Sequence, residues 1–436
     1  MGIKRLLGSA LAKETGISLF LKISQAFFSF MTTVLLARIL GAEGYGIYAY
    51  AFAFVMLLSM PAQAGLPQLV IRETARGIAE GKPELVQGIW RWSGKVVLII
   101  SIILVFVIGS ILFILKNGQF NLKEWTFFWA LLFVPFMCLN NLRGAALRGL
   151  HKVIIGQLPE FFIRPALFFT SLCIAGIFLH QRLTPPQAMA LNVFAAVLAF
   201  IIGAWLLWRN TPSSIYKITP VYDSKKWIKS LLPLAFIGGI LVINNQTDIV
   251  MLGIFKPLDQ VGIYRVAARL ALFASFGLQA VNMVVAPRFA ALYAKREIKR
   301  LQHLATRGAQ VVLVFNLLIT GFFVLFGETF LKWIFGKDFT PAYIPLLILL
   351  IGQLVNSAAG SVGVLLNMSG HERDTACGLA LAAGINILLN LALIPPLGPK
   401  GAAIATSVSM ITWNVILWWF VRKRLGINSL AFNLRF

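Results

Sequence analysis

Charge is scarce in this chain of 436 residues: only 12% are Asp, Glu, Lys or Arg, half of what a soluble globular protein carries. Acids are the scarcer sign, 15 against 39 Lys and Arg, for a net charge of +24. Cysteine is scarce too. Cys138, Cys173 and Cys377 all fall inside apolar stretches, so neither a disulfide framework nor a CxxC metal site is available. No metal spacing, nucleophile elbow or phosphate loop is present, and no long hydrophilic stretch could house a separate catalytic domain. What is abundant is apolar: 59% of residues, with a mean hydropathy of +0.83. That excludes a water-soluble enzyme and a disordered chain.

A membrane-crossing helix needs about 20 apolar residues. Apolar runs bounded by charge or by Pro and Gly give twelve such segments: 17–38, 45–70, 94–115, 125–147, 158–180, 186–208, 230–255, 261–286, 309–331, 342–366, 375–396 and 401–421. The fold class expected is therefore an all-α polytopic membrane protein. Trp90, Trp92, Trp125, Trp208, Trp227, Trp333, Trp418 and Trp419 gather near segment ends, as interfacial belts do. Placing the N-terminus inside puts 27 cations in the N-terminal arm, the inner loops and the tail, against 8 in the outer loops. The positive-inside rule then sets both termini in the cytoplasm. Most of the +24 thus orients the chain in the membrane, and nucleic acid is excluded as a partner.

With Arg38, Lys95 and Arg143, near segment ends, counted in the adjoining loops, four cations remain inside the apolar segments: Lys22, Arg164, Arg265 and Arg269. Of the acids there, Glu160 and Glu328 lie near segment ends and Asp248 lies deep. A cation at mid-membrane costs about 2.5–3.5 kcal/mol on insertion scales unless it lines water or finds a partner. Two readings stay open for the four: snorkelling or structural pairing, and a cationic cleft that attracts an anionic group such as a phosphate or diphosphate. Segment one carries Ser18, Lys22, Gln25, Ser29 and Thr32 at spacings of 4, 3, 4 and 3, which put them on one helical face. Asn244, Asn245 and Asp248 form a comparable cluster in segment seven. Asp248 has its own pair of readings, a partner for Lys22 or Arg265 and an ion-coupling group. Asn140, Asn141, Asn356, Ser357 and Ser361 add polar groups to segments four and ten.

The chain also repeats itself. Residues 43–51 and 259–267 both read acidic-x-x-Gly-Ile-Tyr-x-x-Ala, displaced by 216 residues, and Pro67/Pro287 and His151/His371 are displaced by 220. The displacement of 216 sets Ser29 opposite Asn245 and Thr32 opposite Asp248. Two six-helix lobes are expected, 1–215 with an inner linker and 216–436. Because six is even, the lobes run parallel and enclose a cleft suited to alternating access.

Three stretches then resemble one family. LLARILGAEGYGIYAYA (35–51), TDIVMLGIFKPLDQVGIYRVAARL (247–270) and LGPKGAAIATSVS (397–409) are similar to elements of the bacterial polysaccharide, or O-antigen, flippases of the multidrug/oligosaccharidyl-lipid/polysaccharide exporter superfamily. The resemblance implies a flippase, not an enzyme, that moves an undecaprenyl-diphosphate-linked oligosaccharide from the cytoplasmic to the periplasmic leaflet of the bacterial inner membrane. Its partners would be that lipid-linked glycan, membrane lipids and other polysaccharide-assembly membrane proteins, with no cofactor and no metal. Lys22, Arg164, Arg265 and Arg269 would attract the diphosphate, while Ser18, Gln25, Ser29, Thr32, Asn244 and Asn245 line the cleft. Asp248 would couple transport to an ion gradient. Lipid II flippases and multidrug antiporters of the same superfamily are the alternatives. A membrane glycan polymerase or ligase is the rival from another class, although the short outer loops, 116–124 and 332–341, offer no His/Asp/Glu constellation. His180 and His303 read as surface residues.

Overall fold

The computed structural model describes all residues except 1, 64, 179–182, 217 and 433–436; for 2–15, 232, 233, 237 and 241 it describes the backbone alone. His180 lies outside the described residues. Helix follows helix: α1 (Gly2–Leu58), α2 (Met60–Gln63), α3 (Leu66–Ala79), α4 (Pro83–Leu115), α5 (Leu122–Gly149), α6 (Val153–Leu158), α7 (Arg164–Phe178) and α8 (Pro185–Asn210). A one-turn α9 (Ser213–Tyr216) precedes α10 (Ser224–Phe255), α11 (Leu258–Ala294), α12 (Ile298–Ile334), α13 (Tyr343–Ala359), α14 (Val362–Met368), α15 (Glu372–Leu397) and α16 (Pro399–Leu425). No strand occurs among the described residues.

Eleven of the described helical stretches are long and apolar enough to cross a membrane. The first of them, Gly16–Leu58, has 43 residues. At ~1.5 Å per residue it is roughly 65 Å long, twice the hydrocarbon thickness. It therefore carries the first two of the twelve expected segments, joined at Gly41, whose φ of 68° and ψ of −176° break the helical path. The second segment ends early. Ser59 and Gly65 interrupt it, the latter at φ 71°, and Pro67 sits in the first turn of the separate helix α3. Its counterpart Pro287 lies inside the unbroken α11. The tenth segment is divided at Gly360, between α13 and α14.

The helices gather into two compact units, residues 1–40 with 51–242 and residues 41–50 with 243–436. In the first, α5 packs against α8, α3 and α4, and α7 against α8. In the second, α16 packs against α15 and α13, and α12 against α11 and α13. Large apolar side chains cover the outside: Phe106 on α4 is 74% exposed and Leu325 on α12 75%. Such exposure is costly in water and natural against lipid.

The decapeptide 41–50 belongs to the second unit for a local reason. Gly46 and Gly262 occupy the same position in the two copies of the repeat, and they pack on each other. A side chain on Gly46 would run into the Leu258 carbonyl, and one on Gly262 into the Ala42 carbonyl. Only glycine permits this approach of backbone to backbone.

Candidate functional site

In the first unit the polar stripe of α1 turns away from the exposed side. Ser18 and Thr32 are buried and Lys22, Gln25 and Ser29 half-buried, while Phe20, Ile23 and Phe27 on the other face are 55–61% exposed. Lys22 makes no ion pair among the described residues. Arg164 follows a π-helical turn, Pro159–Ile163, and its guanidinium stands 5.7 Å from the Phe133 ring centroid. Turns of this kind are rare and concentrate at functional positions.

That turn also carries Glu160. With its amide oriented to satisfy both neighbours, Asn141 donates to both Glu160 oxygens at 2.9 Å, and Gln63 lies 2.9 Å away on its other side. The Gln63 amide also lies 3.1 Å from Ser59 Oγ. Beside this chain is a buried cation that sequence reasoning assigned to the following loop: Arg143, 5% exposed. Its Nη1 donates to the carbonyls of Ala199 at 2.9 Å and Phe200 at 3.2 Å. Its Nε and Nη2 have no partner among the described residues. Room for the guanidinium exists only because residue 203 is glycine, where a Cβ would collide with it. Glu160 acts electrostatically on both Arg143 and Arg148.

In the second unit Asp248, 6% exposed, is held by three helices besides its own. Its Oδ2 accepts from Tyr264 Oη on α11 at 2.7 Å and from Thr406 Oγ1 on α16 at 2.6 Å. Its Oδ1 accepts from Asn390 Nδ2 on α15 at 3.2 Å, and Asn390 Nδ2 also donates to Asn386 Oδ1 at 2.9 Å. The expected pairing with Arg265 is therefore corrected: among the described residues of the second unit Asp248 has neutral donors and no cation within ion-pair distance. Three charge-assisted hydrogen bonds satisfy the carboxylate, which removes the need for a counter-ion. The cluster presents oxygen, with no histidine or cysteine, so the chemistry it suits is a proton or a hard monovalent cation.

Tyr264, Thr406, Asn390 and Asn386 were not singled out from sequence. The signal was present for two of them, since Tyr264 stands in the second family-like stretch and Thr406 in the third. Arg265 and Arg269 are half-buried on α11, one turn apart, and Arg269 is within electrostatic reach of Arg265, Tyr45 and Tyr48. Asn244 is half-buried, with Nδ2 unpartnered among the described residues, and Asn245 is exposed.

An all-helical membrane protein with polar sites sunk in two units is a transporter fold. It superposes on the inward-facing conformation of a multidrug resistance MATE family transporter of the MOP superfamily with a TM-score of 0.73, covering 94% of this chain and 98% of that one at 14% identity. Residues 11–293 match the family model of polysaccharide biosynthesis proteins, and the chain belongs to that family. It is 25% identical to a putative O-antigen transporter of Shigella flexneri over 90% of this chain and 93% of the relative. It is also 22% identical to the probable low-salt glycan biosynthesis flippase Agl15 of Haloferax volcanii, over 92% of this chain and 82% of the relative.

Proposed function

We propose that this protein is a flippase that carries a lipid-linked oligosaccharide, built on undecaprenyl diphosphate, from the cytoplasmic to the periplasmic leaflet of a bacterial inner membrane by alternating access, with both termini in the cytoplasm. The observation that carries the reading is the sign of the embedded charge. Lys22, Arg143, Arg164, Arg265 and Arg269 stand against Glu160, Asp248 and Glu328 in the apolar segments, a surplus suited to a diphosphate rather than to a cationic drug. The relatives named for O-antigen transport and for a glycan biosynthesis flippase support it. Lys22 and Arg164 in the first unit, and Arg265 and Arg269 in the second, attract the diphosphate. Ser18, Gln25, Ser29, Thr32, Asn244 and Asn245 supply hydrogen bonds to sugar hydroxyls. The protein performs no covalent step on the glycan, and other polysaccharide-assembly proteins supply and consume it.

Outward movement of an anion is favoured by an inside-negative potential, about 2.3 kcal/mol per charge per 100 mV. Further drive comes from a proton or sodium ion at Asp248, whose neighbours in the second unit are hydroxyl and amide donors. The decisive experiment follows labelled lipid-linked oligosaccharide across proteoliposomes. Transport by the wild type, lost in Lys22→Ala and Arg269→Ala at equal protein abundance, is the expected result; normal rates in both variants refute the cationic site. A second reading, export of drug cations, is favoured by the fold it shares with a multidrug transporter. Efflux of cationic dyes with no movement of the glycan lipid would select it.

A further inference from the structure

The end of the chain folds back into the second unit. After α16 it turns through Gly426 at φ 66°, and Ile427, Ser429 and Ala431 are then no more than 4% exposed. Ile427 joins a core with Ala359, Val362 and Val421, residues from either side of the Gly360 break and from α16.

The break itself leaves backbone groups to be satisfied. In a continuous helix the amide of Val362 would bond the carbonyl of Ala358, four residues back. Here it bonds Gly360 at 2.9 Å, because Gly360 takes φ 71° and ψ −147°. A freed carbonyl inside a membrane protein requires another donor. The tail provides it: the Ala431 N–H donates to the Ala358 oxygen at 2.9 Å. The Ala431 carbonyl in turn accepts from Gln310 Nε2 on α12 at 3.1 Å. Thr306 Oγ1 donates to the Asn428 carbonyl at 3.2 Å, and the Asn428 side-chain oxygen accepts from the Trp418 indole at 3.0 Å. One short segment thus ties α12, α13 and α16 together at the break. The counterpart helix has no such break: α5 runs unbroken through Asn140 and Asn141, which the displacement of 220 sets opposite Gly360 and Ser361.

We propose that Gly426–Ala431 is a strap that sets the bend at Gly360, and that the second unit must release it to complete a transport cycle. Straightening the bend returns the Val362 amide to Ala358, in competition with Ala431, so the bend and the strap form and dissolve together. The transport half of this inference rests on the flippase reading; the bend half does not.

Two measurements on the full-length protein in proteoliposomes test the halves separately. Ala431→Pro removes the capping N–H, and Gln310→Leu removes the bond to its carbonyl without altering the tail. Backbone hydrogen exchange over residues 356–362 should accelerate at least about tenfold in both variants, while residues 138–146 of α5 exchange as in the wild type. Unchanged exchange at 356–362 in Gln310→Leu, or acceleration spread equally over α5, overturns the strap. In the second measurement Thr306→Cys and Asn428→Cys, in a chain whose native cysteines are serine, are joined by a reducible thiol crosslinker. Transport of labelled lipid-linked oligosaccharide should fall at least about tenfold when joined and return on reduction. Wild-type transport by the joined protein overturns the release step. A chain that moves no glycan lipid even before joining refutes the flippase reading, and the exchange measurement then decides the strap alone.

Discussion

Two of the embedded acids, Glu160 and Asp248, solve one physical problem in opposite ways. Glu160 sits half-buried in a π-helical turn, held by the Asn141 amide and within electrostatic reach of Arg143 and Arg148. Asp248 sits on an ordinary α-helix, buried, among a phenol, a hydroxyl and an amide, with no cation in ion-pair distance among the described residues of the second unit. A carboxylate compensated by fixed guanidinium groups has little reason to exchange its partner. One held by neutral donors has no fixed positive charge that a mobile ion must displace. Position in the membrane therefore says less about coupling than the charge of the surrounding donors.

That contrast can be broken experimentally, and the largest effect belongs to Asp248. Asp248→Asn should abolish the dependence of transport on an imposed ion gradient, a loss of roughly 5–150-fold, the range of ordinary coupling energies. Glu160→Gln should leave that dependence in place. If both variants lose it equally, the distinction between the units fails. Next in size is Gly203→Ala, which drives a methyl group into the Arg143 guanidinium. Overpacking of this kind costs about 1–3 kcal/mol, seen as a lower melting temperature in detergent, and Arg143→Gln in the same chain should recover part of it. Thr406→Val removes one of two donors to Asp248 Oδ2 and should weaken ion-driven transport without abolishing it, because Tyr264 remains. A Thr406→Val protein indistinguishable from Asp248→Asn would show that the hydroxyl itself binds the ion.

The smallest effect lies outside the apolar helices. Hydrogen bonds from Arg76 and Lys82 hold the Glu80 carboxyl down to about 2 from its ordinary 4.5. A lowered value means the ion pairs contribute fully above pH 4.5 and are lost as pH falls through about 2. Both ends are solvent-exposed, so the difference in melting temperature between wild type and Glu80→Gln should be slight and constant from pH 7 to 5, and should close only below that.

The apolar runs were legible because lipid demands uninterrupted hydrophobic length, and most expected segments fall within one helical stretch, the second and tenth being interrupted. The interruptions were harder to see. Gly41, Gly65 and Gly360 are three glycines among 36, and composition does not say which of them takes a positive φ. The cationic surplus was legible, but Arg143 was assigned to a loop because it stands at the end of its apolar run; the notch that admits it, Gly203, lies 60 residues further on. The acid at 248 stood out as a lone charge, yet its donors come from positions 264, 390 and 406. Their convergence is a property of packing that no local window contains. The pairing expected from nearest charges failed for that reason: neutral donors had already satisfied the carboxylate.

The glycine contact between the repeats has a consequence for how the protein is made. Ala42 and Gly46 leave the ribosome 216 residues before the segment that receives them. At about 5–20 residues per second, the wait is roughly 10–40 s. Through that interval the first two helices are inserted while the short stretch joining them still lacks its packing partner. Synthesis that pauses or terminates before Leu258–Gly262 leaves this stretch exposed to proteases and insertion factors. The contact closes only when Leu258–Gly262 has been made, with most of the second unit still to be synthesised.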